Sequence, residues 1–92
     1  MIVWDEKKRL INLKKHGLDF KDAYLVHDNP DKVTFLSPRN NEDRRLDVAM
    51  VELAGRVLSL IYTHRSEDIR IISFRVASRK ERKAYEEQQK LN

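Results

Sequence analysis

The amino-acid sequence predicts an α+β domain: an antiparallel-rich sheet of about four to five strands, with two helices before it and one after it. Three observations carry this reading. Leu46, Val48 and Met50 alternate with Arg45, Asp47 and Ala49, the period of two expected of a half-buried strand. Val57–Tyr62 is a nearly continuous apolar run, the mark of a central strand. Ser78-Arg79-Lys80-Glu81 has the capping-box pattern, with serine at the N-cap and glutamate three residues on, which opens a helix near the C-terminus.

The elements follow in the order β-α-α-β-β-β-β-α. Ile2-Val3-Trp4 is a short β-prone opening. Asp5 caps a helix to about His16, with Leu10 and Leu13 as a narrow apolar stripe and Lys14, Lys15 and His16 complementing the dipole in the last turn. Gly17 stands where a left-handed residue ends a helix. Asp19 caps a second, short helix with Phe20, Ala23, Tyr24 and His27 on one side, and Asp28-Asn29-Pro30-Asp31 is a turn. Val33–Leu36 is a strand, Ser37–Asp43 a polar loop, and Leu53-Ala54-Gly55-Arg56 a turn. Ile69–Val76 is the last strand. Strict alternation places Arg70, Ile72, Phe74 and Val76 on one face and Ile71, Ser73 and Arg75 on the other. The last helix is expected from Arg79 to about Gln89.

Ninety-two residues make one domain, 1–92, with a thin core. The chain has no cysteine, so it has neither a disulfide framework nor a thiolate metal site. Two glycines leave no room for a phosphate-binding glycine loop, which removes dinucleotide and P-loop chemistry. His16, His27 and His64 stand far apart without ligand spacing, so no metal and no cofactor is expected. There is neither a long apolar run nor a secretory leader pattern, and the expected location is cytoplasmic. The net charge of +4 is unevenly distributed. Residues 7–21 hold six bases against one acid, residues 69–83 hold six against one, and the remainder carries −6. Two such segments can converge into one basic face suited to a polyanion.

RNA cleavage fits these parts. The 2′-hydroxyl attacks its own phosphate, and the protein supplies a base, an acid and cations for the phosphorane. Arg65, Arg75, Arg79 and Arg82 can grip phosphate bidentately, and histidines such as His16 and His64 are the usual neutral-pH proton carriers. Tyr85 shares a helix face with Arg82, and Tyr85, Tyr62 and Trp4 can stack on bases. Structural roles compete with each of these. Arg82 and Tyr85 equally serve to dock the last helix, Lys15 and His16 to compensate a dipole, Trp4 to fill the core, and His27 reads as structural.

The same residues resemble a known family. Trp4-Asp5, Lys8, Asn12, Lys15-His16-Gly17 and Phe20 follow the pattern W-D-x2-K-x3-N-x2-K-H-G-x2-F of the BrnT toxins. Asp28-Asn29-Pro30, Glu42-Asp43-Arg44 and Thr63-His64-Arg65 keep the family's order, and Ile71-Ile72-Ser73-Phe74-Arg75-Val76-Ala77 with Glu81-Arg82 and Tyr85 is similar to its closing motif. Phe74 stands where the family has a small residue, and by alternation it points away from Arg75. The resemblance covers about residues 3–87. It implies a RelE-like fold, ribonuclease activity that halts translation, and neutralisation by a small, adjacently encoded BrnA-like antitoxin through which promoter DNA is bound. It also implies catalytic roles among His16, Arg65, Arg75, Glu81, Arg82 and Tyr85, with Lys15 nearby. Lys8, Lys15, His64, Arg79 and Lys80 are the expected RNA-binding residues. The competing reading is a module that binds RNA or an antitoxin and cuts nothing.

Overall fold

The computed structural model describes residues 1–37, 42–52 and 54–91; residues 38–41 of the expected loop and Leu53 of the expected turn lie outside that range. The elements are β1 (Ile2–Val3), α1 (Glu6–His16), a 3-10 turn (Phe20–Asp22), α2 (Tyr24–His27), β2 (Val33–Leu36), β3 (Arg44–Val51), β4 (Arg56–Arg65), β5 (Asp68–Val76) and α3 (Arg79–Leu91). They form one mixed sheet in the order β1-β5-β4-β3-β2, in which β1 runs parallel to β5 and every other pairing is antiparallel. The predicted class and strand number agree with this. The second N-terminal helix is smaller than expected: Asp19 caps only the 3-10 turn, and α2 is a single further turn.

The caps of α1 work as their residue types require. The Asp5 carboxylate accepts from the backbone N–H groups of Lys7 and Lys8, and Gly17 closes the helix at φ 71° while donating its N–H to the Leu13 carbonyl. The predicted Leu10–Leu13 stripe does not pack. Leu10 is 54% exposed, and the inward side carries Arg9, Asn12 and His16 instead. The reason lies in the sheet. β1 covers the outer edge of β5 only at Ile69 and Arg70. Further along, Asn12 takes the place of a neighbouring strand: its Oδ1 accepts the Phe74 N–H at 3.1 Å, and its Nδ2 donates to the carbonyls of Phe74 at 2.8 Å and Leu18 at 3.0 Å. Losing that amide would leave buried backbone groups unpaired at about 1–3 kcal/mol each, so polarity positions α1 here. Arg9 adds a pair to Asp19 at 3.0 Å, which ties α1 to the segment that follows.

The sheet is covered on both faces. The first face packs Ala49, Val51, Leu58, Leu60, Tyr62, Ile69, Ile71 and Phe74 against Phe20, Ala23 and Val26, with Trp4 and Leu18 at its margin. Tyr62 is therefore a core residue and a base-stacking role does not fit it, while Trp4 packs partly buried at the core margin, in line with its core-filling reading. The second face packs Val48 and Val57 against Tyr85 of α3. Because both faces are covered, β3 is not half-exposed as its alternation suggested. Asp47, on the supposed polar side, is fully buried. Its carboxylate accepts from Thr34 Oγ1 (2.6 Å), Lys32 Nζ (2.8 Å) and Tyr62 Oη (3.1 Å), and His27 Nδ1 lies at 3.3 Å. His27 also meets the Tyr62 ring edge to face, so its expected structural role stands.

One irregularity rearranges β5. Tyr62 pairs with Ile71 and Ile61 with Ser73, which leaves Ile72 as the extra residue of a β-bulge. Strict alternation therefore fails. Ile71 and Phe74 share the core face, while Arg70, Ser73 and Arg75 share the other, opposite Thr63, Ile61 and Ser59. Phe74 does point away from Arg75, as expected.

Candidate RNA-directed site

The site grows from the start of α3. Ser78 and Glu81 form the reciprocal capping box: the Glu81 N–H donates to Ser78 Oγ at 3.1 Å, and the Ser78 N–H donates to Glu81 Oε1 at 2.9 Å. The same carboxylate accepts from Ser59 Oγ at 2.9 Å and holds both terminal nitrogens of Arg75, at 2.7 and 2.9 Å. The cap of one helix thus fixes the plane of a guanidinium that remains 30% exposed on the second sheet face. The Arg75 guanidinium and the added donors pull the Glu81 carboxyl down to about 2, from an ordinary 4.5. A carboxylate that weak and that fully engaged is a poor proton acceptor at neutral pH.

A depressed carboxyl contributes stability that is present above its unfolded pKa and lost as pH falls through its folded one. For Glu81 that window runs from about 4.5 down to about 2. The stability difference between the natural chain and Glu81→Gln, measured by urea unfolding, is expected to be constant above about pH 5.5 and to shrink through that window. A difference that stays constant to pH 2.5 would remove the assigned shift.

His16 reaches the same region from the other side. A cleft of about 200 Å³ is lined by Lys8, Ile11, Asn12, Lys15 and His16 of α1 and by Ile72 and Ser73 at the bulge. Ser73 links the two halves, because it lines this cleft and lies two residues, about 7 Å, from Arg75 on the same sheet face.

The chain matches the family model described as "Ribonuclease toxin, BrnT, of type II toxin-antitoxin system" over residues 4–81. It belongs to the BrnT family. No curated protein sequence matches the chain. The family is one of ribonuclease toxins, and its type II pairing implies an antitoxin protein as partner.

The BrnT match runs from Trp4 to Glu81 and so spans the elements that build the site, while Arg82 and Tyr85 lie beyond it. Neither of those two lines the cleft of His16. Tyr85 is 7% exposed and docks α3 on Val48 and Val57. Arg82 pairs with Glu86 at 3.7 Å and lines a different cleft with Met50, Gly55 and Arg56. Arg65 is six residues along β4 from Ser59, the partner of Arg75, which is about 20 Å. It pairs with Glu42 at 3.7 Å, so it and Arg75 serve different ends of the face. His64 is exposed, and by alternation it falls on the opposite face from Arg65. Arg79 and Lys80 are exposed in the first turn of α3, and Lys8 and Lys15 are exposed on α1.

Ser59, Thr63, Arg44 and Arg70, to which the sequence reading gave no site role, also lie on the second face. Only the bulge puts Arg70 there, and no pattern in the sequence marks a bulge. A cleft of about 590 Å³ is lined by Tyr24, Asp28, Asn29, Met50 and Tyr85 among others and by none of the arginines. Among the described residues no three His, Asp or Glu side chains are grouped to hold a metal ion, and no helix is long and apolar enough to cross a membrane.

Proposed function

We propose that this chain is the toxin of a type II pair, an endoribonuclease that needs no metal ion and acts in the cytoplasm, where it halts translation until a BrnA-like antitoxin covers it. Promoter DNA would be bound only through that antitoxin. The observation that carries the reading is the Arg75 guanidinium, fixed by Glu81 and partly exposed on the second sheet face, two residues from Ser73 in the cleft of His16.

In the proposed reaction the 2′-oxygen forms a bond to its own phosphorus and the bond from phosphorus to the 5′-oxygen breaks. The 2′-hydroxyl proton passes to His16. Arg75 donates to the phosphorane oxygens, where charge develops. The leaving 5′-oxygen takes its proton from solvent, since Tyr85 is buried and Arg82 lies elsewhere. The products are a 2′,3′-cyclic phosphate and a 5′-hydroxyl end. Glu81, engaged by three partners, positions Arg75 and leaves the proton to His16.

The test is induction of the chain alone and together with its neighbouring reading frame. Growth arrest only in the first case is expected, with 5′-hydroxyl RNA ends formed by purified protein in excess chelator. Uninterrupted growth, or RNA that is bound with steep salt dependence and never cut with or without ribosomes, would replace this reading with the binding module.

A further inference from the structure

Beyond the reach of α3, the second sheet face carries a row that the proposed chemistry does not use. Arg44, Thr63 and Arg70 lie directly opposite one another on β3, β4 and β5, so their side chains share one face, and Arg65 follows two residues after Thr63 on that face. Thr63 is only 2% exposed, and its hydroxyl has no hydrogen-bond partner among the described residues. The buried Nε of Arg44 is equally unpartnered, and Arg70 has no ion pair among the described residues. A small sheet domain rarely leaves two adjacent buried polar atoms unsatisfied, because each costs about 1–3 kcal/mol. Such a pair is tolerated where a ligand supplies the missing partner. Asp68, opposite Arg65 and in a cleft with Arg65 and Arg70, pairs with the Met1 amine at 3.5 Å. Among the described residues the carboxylate ion-paired with the row is that of Glu42, 3.6 Å from Arg44 and 3.7 Å from Arg65. Those distances suit an ion pair but exceed a good charge-assisted hydrogen bond, so Glu42 holds an anion's position loosely.

We propose that Arg44, Arg65 and Arg70, set around the Thr63 hydroxyl, form a second phosphate site for the RNA strand whose scissile phosphate lies at Arg75, and that Glu42 vacates this site when RNA binds. The inference rests on the RNA-cleaving reading above and names how that site holds its substrate. Thr63 is four residues along β4 from Ser59, the partner of Arg75, which is about 13 Å. An extended RNA strand covers that distance in a couple of nucleotides. The second site would thus fix the register of the strand and leave the attacking 2′-hydroxyl at the His16 cleft.

The probe is a mixed-sequence single-stranded RNA oligonucleotide, 2′-O-methylated throughout so that it cannot be cut by its own 2′-oxygen. Its binding to the full chain is followed by fluorescence anisotropy across a KCl series. Arg70→Ala is expected to weaken binding about tenfold and to reduce the slope of log affinity against log salt by about 0.7, one phosphate contact on a single strand. Glu42→Gln is expected to tighten binding several-fold, a gain that a misfolded variant could not produce. Thr63→Val should raise the urea midpoint by removing an unsatisfied buried hydroxyl, yet weaken oligonucleotide binding with the slope unchanged. Unaltered affinity and slope in Arg70→Ala, or no tightening in Glu42→Gln, would overturn the second site while leaving cleavage at Arg75 untouched. If the natural chain binds the oligonucleotide as described and never cuts ordinary RNA, the site stands and the catalytic reading falls.

Discussion

Arg75→Ala is expected to lower RNA cleavage by about 100- to 1,000-fold and to abolish growth arrest, the scale on which removal of one pre-organised donor to a developing oxyanion acts. Phosphorane formation adds charge on the non-bridging oxygens. A planar guanidinium already fixed by Glu81 meets that charge without reorganisation. Arg75→Lys keeps the charge but loses the fork, so it should fall between the two. The fold should survive either change. Arg75 remains partly exposed, and Glu81 keeps Ser59 Oγ and the Ser78 N–H as donors. Losing a partly buried, charge-assisted pair of this kind costs about 1–3 kcal/mol. Circular dichroism and urea unfolding of the variant separate lost chemistry from lost structure. Full toxicity in folded Arg75→Ala would end the assignment.

The second large effect concerns stability. Asp47→Ala is expected to cost about 3–5 kcal/mol, the scale for removing one member of a buried charged network. Against the 5–15 kcal/mol that holds an ordinary domain together, a chain this small would unfold substantially at growth temperature. The carboxylate, fully buried, gathers His27 of α2, Thr34 of β2, Tyr62 of β4 and Lys32 of the turn before β2. Burial, with Asp47 close by, pushes the Tyr62 hydroxyl well above its ordinary value, so it stays a neutral donor to that carboxylate. Asp47→Asn keeps an acceptor for Thr34 and Tyr62 but turns an amide toward Lys32, and it should cost less than alanine. Urea midpoints rank the three chains. Toxicity lost in Asp47→Ala should track lost structure, and a cooperative unfolding curve unchanged from the natural chain would refute the network's role.

Much of this molecule was legible in order. Both ends of α1, the strand β2, the capping box of α3 and the central place of β4 are local matters, in which a carboxylate, a glycine or an apolar run acts on its own neighbours. The family motifs were legible as well. Asn12 with Phe74, and Arg75 with Glu81, are contacts that join residues of those motifs in the folded chain. Errors arose where the partner was distant. Leu10 and Leu13 looked like a packing stripe, but the neighbour of α1 is an open strand edge, which needs an amide more than it needs leucine. Asp47 looked solvated because alternation cannot say that both faces of the sheet are covered. Tyr62 and Tyr85 looked like stacking platforms because an aromatic ring reads alike in a core and on a surface.

The sequence by itself determined the α+β class, the lack of thiol and glycine-loop chemistry, the two basic segments and the membership in a ribonuclease toxin family. Those follow from composition and local pattern. Only the tertiary structure decided which of the basic residues share a surface. The bulge at Ile72 turns Arg70 to the side of Arg75, and pairing across β3, β4 and β5 lines up Arg44, Thr63 and Arg70. Strand register is settled by long-range hydrogen bonding and core packing, and one extra residue reverses every side chain that follows it.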